Sequence, residues 1–174
     1  MSASPGTAAS ILCDAFDRLR GSVHRVLDGL APEQLTARVD SEANTIAWLV
    51  WHLTRVQDDH LADAASTEQL WVRAGWFERS SLPFPVEATG YGHSSADVAA
   101  VTGLTSELLA GYFDDVHAQT ISYVSGLQEP DFERIVDTRW TPAVTLAVRL
   151  VSVLNDDTQH VGQAAFVKGI IQRR

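Results

Sequence analysis

Apolar residues recur every three or four positions along several long stretches of the chain, which is the spacing of amphipathic α-helices. The first such stretch extends from Ile11 to Leu30. Thr141 and Pro142 form a strong start signal for the last one, because the hydroxyl can cap a helix and proline suits its first turn. Pro5 lies where the first helix could begin. The spacing and these signals predict four long helices, near residues 7–30, 43–65, 105–127 and 142–171.

Residues 66–93 interrupt the helical pattern with aromatic residues, glycines and prolines. The segment is too long for a tight helix connection, and its aromatic content argues against disorder. It suits a structural lid and the wall of a pocket equally well. Since the chain contains no repeat and no convincing strand, the sequence predicts an all-α fold. This is a four-helix bundle forming a single domain over residues 1–174, with residues 66–93 as a long crossover between the second and third helices.

Composition narrows the range of partners and compartments. The chain of 174 residues has a formal net charge of −9, and its 13 lysines and arginines form no convincing basic face, so no nucleic-acid partner is expected. No apolar run approaches the ~18–20 residues of a membrane span, and the N-terminal MSASPGTAAS lacks the features of a signal peptide. Cys13 is the only cysteine, which excludes an internal disulfide and fits a packed thiol in a reducing cytosol. We therefore expect a cytoplasmic protein with no membrane partner.

Candidate metal ligands occur in the stretch Val153–Ala165, where two adjacent acids and a histidine interrupt an apolar helix. Residues four apart on a helix share one face, about 5–6 Å apart at Cβ, so Asp156 and His160 can bind one ion together. His52 lies within the second apolar helix. If the two helices face each other, His52 completes a set of three ligands. Three protein ligands and an open position are typical of catalytic zinc and similar divalent sites.

Two neighbouring residues are rivals for this site. Helical angles put Asp157 nearer the centre of the apolar stripe than Asp156. Because a buried unpaired carboxylate is costly, Asp157 is expected to pair with His60, His117 or an arginine. The same angles predict that His60 points more directly inward than His52, so His60 is a rival ligand or a neighbour of the ligands.

A di-iron site is a further alternative. Asp114–His117 in the third helix and Asp157–His160 in the fourth have the spacing of the Glu-x2-His motifs of di-iron bundles. That design also needs a carboxylate from each remaining helix, for which Asp17 and Asp59 are the only passable candidates. All of these carboxylates are aspartate where the motifs have glutamate, so the site with three ligands is the favoured prediction.

The stretch NTIAWLVWHLTRVQDDHL, the stretch DDTQHVGQAA and the order of the four helices resemble the DinB-like superfamily. This superfamily includes the metal-binding domain of mycothiol-dependent maleylpyruvate isomerase and the bacillithiol transferases. The resemblance spans nearly the whole chain and implies an up-down-down-up bundle, often dimeric, that binds a divalent metal. The implied ligands are one histidine of the second helix and a [His/Glu]-x3-His pair of the fourth. On this sequence they are His52, Asp156 and His160, with Asp156 where relatives have histidine or glutamate.

The resemblance implies a divalent-metal-dependent enzyme, either a thiol-dependent transferase or isomerase or a hydrolase. In such an enzyme the ion activates a bound thiol or water toward a small-molecule substrate. Zinc or nickel is the expected metal, and the expected thiol is of low molecular weight, such as mycothiol. The alternative, from another class, is a non-catalytic bundle with a vestigial metal site. Such a bundle would be a stress-associated dimer or a module that binds a small ligand.

The surroundings of the predicted ion can also be assigned from the sequence. Asp59 is expected to hold a ring N–H of a ligand histidine in place. Trp48 and Tyr112 are expected to line the substrate pocket, with the open metal position facing the aromatic crossover.

A homodimer is expected from the resemblance and from apolar residues outside the inward stripe of the last helix, since exposed apolar surface marks interaction sites. These residues are Val144, Val148, Val151 and Phe166.

Overall fold

Four long helices dominate the computed structural model, which describes residues 6–173. They are α1 (Thr7–Leu27), α3 (Ile46–Ala65), α7 (Ser106–Ser125) and α8 (Leu146–Ile171). The shorter elements are α2 (Pro32–Leu35), α4 (Leu70–Arg73), α5 (Trp76–Ser80), α6 (Ser95–Ala100), the 3₁₀ helix Glu129–Glu133, and strands β1 (Ile135–Asp137) and β2 (Val144–Thr145). α3 packs most extensively on α8, and α1 packs on α7 and α8. The predicted all-α four-helix bundle with a long crossover is confirmed, while Pro5 lies outside the described residues.

α3 is buried on nearly all of its faces, although its sequence predicts a single inward stripe. The apolar spacing in its sequence places Ile46, Leu49 and Leu53 in that stripe, and all three are buried. Trp48 and Trp51, which lie on other faces of the helix, are buried as well. Aromatic side chains of the crossover pack on the ring of Trp51 and cover the outer side of the helix. A helix covered on both sides lacks the amphipathic contrast from which an inward direction is predicted.

The same covering changes the positions of the two histidines of α3. His52 is only 6% exposed, whereas the side chain of His60 is 33% exposed and lines a cavity. The prediction that His60 points more directly inward than His52 is therefore wrong. The physical reason is that the crossover covers the His52 face of the helix, and the helical angles alone contain no information about the crossover.

The last helix begins later than predicted. Thr141 and Pro142 lie in the loop between β1 and β2, which form a short antiparallel pair for which the sequence contains no convincing signal. α8 starts at Leu146, where the hydroxyl of Thr145 accepts a hydrogen bond from the Val148 amide. Thr141 and Thr145 could each cap the helix, and the pairing of β1 with β2 places its start after Thr145. Among residues 6–173, every helix is too short or too polar to span a lipid bilayer.

A carboxylate shared by two arginines connects β1 to α8. Asp137 accepts hydrogen bonds from Nε and Nη2 of Arg139 at 3.0 and 2.8 Å, and from Nη2 of Arg149 at 2.8 Å. The hydrogen bonds from Arg139 hold the pKa of Asp137 well below its usual range, and the charge of Arg149 acts in the same direction. The carboxylate therefore stays ionised in the folded protein wherever the unfolded chain would ionise it, and it joins the hairpin to the bundle.

We predict that Asp137→Asn lowers the melting temperature at pH 7 and that the difference from wild type shrinks toward pH 3. The pKa of Asp137 is lowered by folding, so its contribution is fully present above the usual carboxyl pKa of about 3.9 and is lost as the pH falls toward the folded value. Thermal melts across this range measure the effect. Asp14→Asn is the control, because its ion pair with Arg18 is exposed and contributes little. A difference that did not vary with pH would contradict the prediction.

Candidate metal centre

His52 on α3 and the pair Asp156 and His160 on α8 converge at the contact between the two helices. One potential ligand atom from each of the three side chains lies within 4.8 Å of the others. Nε2 of His160 is 3.6 Å from Oδ1 of Asp156, and the two imidazole centroids are 4.8 Å apart. In the part of the chain that the structure describes, no other group of at least three histidines, cysteines or acids converges in this way.

Both histidines have their Nδ1 atoms next to an oxygen. Nδ1 of His52 donates to the carbonyl of Thr89 at 2.5 Å, and Nδ1 of His160 lies 3.4 Å from the amide oxygen of Gln163. A proton on Nδ1 leaves the Nε2 lone pair available for an ion. The two imidazoles are therefore oriented as a pair of Nε2 ligands.

The sequence prediction missed both of these partners. Gln163 follows His160 by one helical turn, so the spacing on α8 could have indicated it. Thr89 contributes a backbone carbonyl, and no side-chain pattern can indicate a backbone group. Asp59, the predicted partner, instead accepts a hydrogen bond from Gln69 at 2.8 Å and lies 3.6 Å from the ring of His60.

Trp48 lies behind His52 and does not form a wall of the cavity. Its ring stacks on the imidazole of His52 with centroids 4.6 Å apart, and its edge approaches His160. Nε1 of Trp48 donates to Nδ1 of His93 at 3.2 Å, which fixes the indole in place. Burial among these rings lowers the pKa of His52, although the Thr89 carbonyl acts in the opposite direction. The neutral imidazole, which is the form that binds metals, is therefore favoured.

A close approach of the crossover backbone to His52 depends on Gly90. This residue has a φ of +94°, in the region that favours glycine. A Cβ at this position would lie 2.7 Å from Nδ1 of His52 and 3.1 Å from the ring of Trp51. Glycine therefore allows the chain to pass close enough for the neighbouring carbonyl to reach the imidazole.

A buried ionic network fixes the segment next to Gly90. Nε of Arg55, which is fully buried, donates to the carbonyl of Ala88 at 3.1 Å. Asp58 accepts from the amides of Leu70 and Trp71 at 2.9 and 2.8 Å. These contacts attach both ends of the crossover to α3.

Tyr112 belongs to this network and does not line the substrate cavity. Its hydroxyl donates to Asp58 at 2.8 Å, and Nη1 of Arg55 approaches the same hydroxyl at 3.3 Å. The ring is buried between Trp71 and Trp76. The expectation that Tyr112 forms a pocket wall is wrong, because the aromatic crossover lies between this residue and the solvent.

The chemistry of Asp156 fits a bound cation. Its Oδ2 atom is buried and has no hydrogen-bond partner among residues 6–173, while Oδ1 is the atom nearest His160. A buried carboxylate oxygen without a partner is costly, and a cation would satisfy it. Together with two available Nε2 atoms, this is a donor set that suits zinc and similar divalent metals.

Asp157 differs sharply from its neighbour. It is completely buried, and neither carboxyl oxygen has a hydrogen-bond partner in the described part of the chain. The expected pairing with His60, His117 or an arginine is therefore wrong. Burial raises the pKa of Asp157 well above its usual range, and the charge of Asp156 adds to this shift. The converging ligand atoms include Asp156 and not Asp157.

The di-iron alternative is also wrong, because the residues that it requires on α1 and α7 are engaged in other contacts. Oδ1 of Asp114 accepts from Arg20 at 2.6 Å and lies 2.8 Å from His24. Nε2 of His117 is 2.9 Å from the carboxylate of Asp17. These contacts join α7 to α1, away from the group on α3 and α8.

A cavity of about 690 Å³ contains His52 and Asp156 in its lining. Val56 and Val153 give it apolar walls, and Tyr91 and Trp140 expose much of their rings at its edge. Its size suits a small molecule. The arrangement can therefore hold a cation and, beside it, a small organic ligand.

The helical bundle and its converging histidines and carboxylate agree with the resemblance to the DinB-like superfamily, which the comparison with known families confirms. Within it, the chain belongs to the mycothiol-S-transferase family, whose sequence model matches residues 11–172. The fold is similar to the crystal structure of a conserved protein from Enterococcus faecalis, with a TM-score of 0.88 and 26% sequence identity. That similarity covers 95% of this chain and 97% of the other. No curated protein matches the sequence.

We predict that Gly90→Ala weakens divalent-metal binding by roughly tenfold or more, the size of effect expected when a partner of a ligand histidine is displaced. The added methyl group would push the crossover away from His52 and remove the Thr89 hydrogen bond. Gly92→Ala is a matched control, because Gly92 also has a positive φ but a Cβ there would contact nothing within 4 Å. Metal titration with melting temperatures measured in parallel tests this, and equal metal affinities for the two variants would refute it.

Proposed function

We propose that this protein is a divalent-metal-dependent transferase that acts with a small-molecule thiol, and that His52, Asp156 and His160 bind its ion. The observation that carries the proposal is the convergence of their ligand atoms within 4.8 Å beside a cavity large enough for a small molecule. Membership of the mycothiol-S-transferase family supports mycothiol as the thiol. Two imidazoles, one carboxylate and an open position suit zinc, and imidazole ligands also suit nickel.

A divalent ion at this position would lower the pKa of a coordinated thiol or water and so supply a nucleophile near neutral pH. The protein holds the ligands ready for that ion. His52 is oriented by the Thr89 carbonyl, and Asp156 contributes one negative charge against the charge of the cation. The stacked ring of Trp48 excludes water from one face of the His52 imidazole. The adjoining cavity then positions the small molecule that reacts with the thiol.

Metal content tests the site directly. Wild-type protein purified without chelator is expected to bind about one divalent ion per chain, as a single set of three ligands requires. His160→Ala is expected to lose stoichiometric binding, because only two ligands remain. His117→Ala is the control, since this histidine lies on α7 and contacts Asp17 on α1, outside the group of three ligands. Equal metal stoichiometry in wild type and His160→Ala would contradict the proposed site.

Turnover then separates the transferase from a non-catalytic bundle that merely binds a ligand. With mycothiol and an electrophilic acceptor, the metal-loaded wild type is expected to accelerate sulfur transfer over the uncatalysed reaction. His160→Ala is expected to lose that acceleration together with the ion. Stoichiometric metal with no acceleration for any acceptor would favour the non-catalytic class.

We also propose that the protein forms a homodimer through an exposed apolar side of α8. Val148, Val151 and Phe166 on this helix are each more than half exposed. Exposed apolar surface of this kind marks interaction sites. Val144 of the predicted set lies in β2 and is partly covered, so it belongs to the hairpin and not to this side of the helix.

Sedimentation velocity at tens of micromolar tests the assembly. The wild type is expected to sediment as a dimer, and Phe166→Asp as a monomer, because a charge within an apolar interface is costly to desolvate. Val72→Asp on α4 also places a charge on an exposed apolar position and is expected to leave the dimer intact. A wild-type protein that sedimented only as a monomer would rule out the proposed dimer.

A further inference from the structure

A second group of polar side chains lies in the same cavity, two helical turns from Asp156. Arg149 is at its centre, with a side chain only 13% exposed and Nη2 donating to Asp137 at 2.8 Å. Arg139 donates two further hydrogen bonds to the same carboxylate. All three side chains line the cavity that also contains His52. The metal chemistry described above uses none of them.

This group keeps a positive charge after its internal contacts are counted. Two guanidinium groups share the single carboxylate of Asp137, so one positive charge remains. His60, whose Nε2 is 3.5 Å from Nη1 of Arg149, adds no charge, because burial and the neighbouring guanidinium lower its pKa. Asp59 in the same lining is held by the amide of Gln69 at 2.8 Å. Asp59 and Asp156 also line the cavity, so the excess of one positive charge belongs to the group of Asp137, Arg139 and Arg149 and not to the cavity as a whole.

We propose that Arg149 binds a carboxylate of the small molecule that occupies this cavity, while the reactive group of that molecule lies at the metal centre. A guanidinium group presents paired N–H donors that match the two oxygens of a carboxylate. Asp137 already fixes the orientation of this guanidinium, so little freedom is lost when a ligand binds. The inference rests on the proposed function, because the ion defines the other end of the ligand.

The spacing along α8 sets the length of that ligand. Arg149 and Asp156 are seven residues apart, which is about 10.5 Å along the helix axis with both residues on one face. Ser152 and Val153 lie between them in the cavity lining, and Val56 adds an apolar wall. The substrate class that fits is a molecule with a short, mostly apolar body, a carboxylate at one end and its reacting group several bonds away.

Thiol probes that differ only at the far end test this inference. Cobalt is loaded in place of the native ion, because its absorption reports coordination of a thiolate. Mercaptohexanoate, which has a carboxylate, is expected to bind about tenfold more tightly than mercaptohexanol, as a hydrogen bond to a charged group implies. Mercaptoacetate is too short to reach Arg149 and is expected to have no advantage over mercaptoethanol.

The outcomes distinguish this inference from the proposed function. Equal affinities for mercaptohexanoate and mercaptohexanol would overturn the carboxylate site and leave the thiol chemistry intact. Failure of every thiol to bind the cobalt-loaded protein would contradict the proposed function and overturn this inference with it.

Variants of Arg149 test the residue assignment. Arg149→Gln is expected to reduce the affinity for mercaptohexanoate to that for mercaptohexanol and to leave the latter unchanged, which a general loss of structure would not do. Arg149→Lys is expected to keep part of the advantage, since a point charge remains. Arg73→Gln on α4, where the guanidinium contacts Gln119, is expected to keep all of it. A carboxylate advantage that persisted in Arg149→Gln would overturn the assignment.

Discussion

The path of the crossover depends on a buried ion pair within α3. Arg55 and Asp58 lie one turn apart with their charged atoms 3.7 Å from each other, and both are essentially inaccessible to solvent. Removing two charges from water is costly and is offset only when their remaining donors and acceptors find partners. The crossover supplies partners for both carboxylate oxygens of Asp58, through the amides of Leu70 and Trp71, and for Nε of Arg55, through the carbonyl of Ala88. The ion pair therefore requires the crossover to fold back across the helix.

The geometry of the candidate site depends on this path of the crossover. The residue after Ala88 is Thr89, whose carbonyl orients the imidazole of His52. A charge pair in the hydrophobic core and a ligand tautomer at the cavity are thus connected through two adjacent carbonyls of one loop. Asp156 and His160, in contrast, owe their relation to the α-helix itself, which places residues four apart side by side.

This difference explains how much the sequence could predict. The four-helix bundle and the Asp156–His160 pair follow from local periodicity, which is visible in one chain. Adding His52 required two helices to face each other, and the family resemblance identified that relation. The burial of His52 and the role of Thr89 depend on a loop that folds over α3, and neither periodicity nor residue type encodes such a path. The predicted pairing of Asp157 was wrong for a related reason. A helical angle predicts that a side chain faces inward, but it does not predict whether a hydrogen-bond partner lies there.

The reliance of His52 on a single glycine bears on how such a centre can be gained or lost. Copying the three ligands onto a regular bundle would reproduce their positions on the helices, yet the imidazole of α3 would lack the carbonyl that selects its tautomer. A designed bundle would also need the crossover and the ion pair that fixes its path. For a natural lineage, a small insertion beside Gly90, where the backbone has no room beside His52, would displace that carbonyl while every ligand residue remained in the sequence. Ligand residues alone are therefore an incomplete signature of this centre, and the length of the crossover belongs to that signature as well.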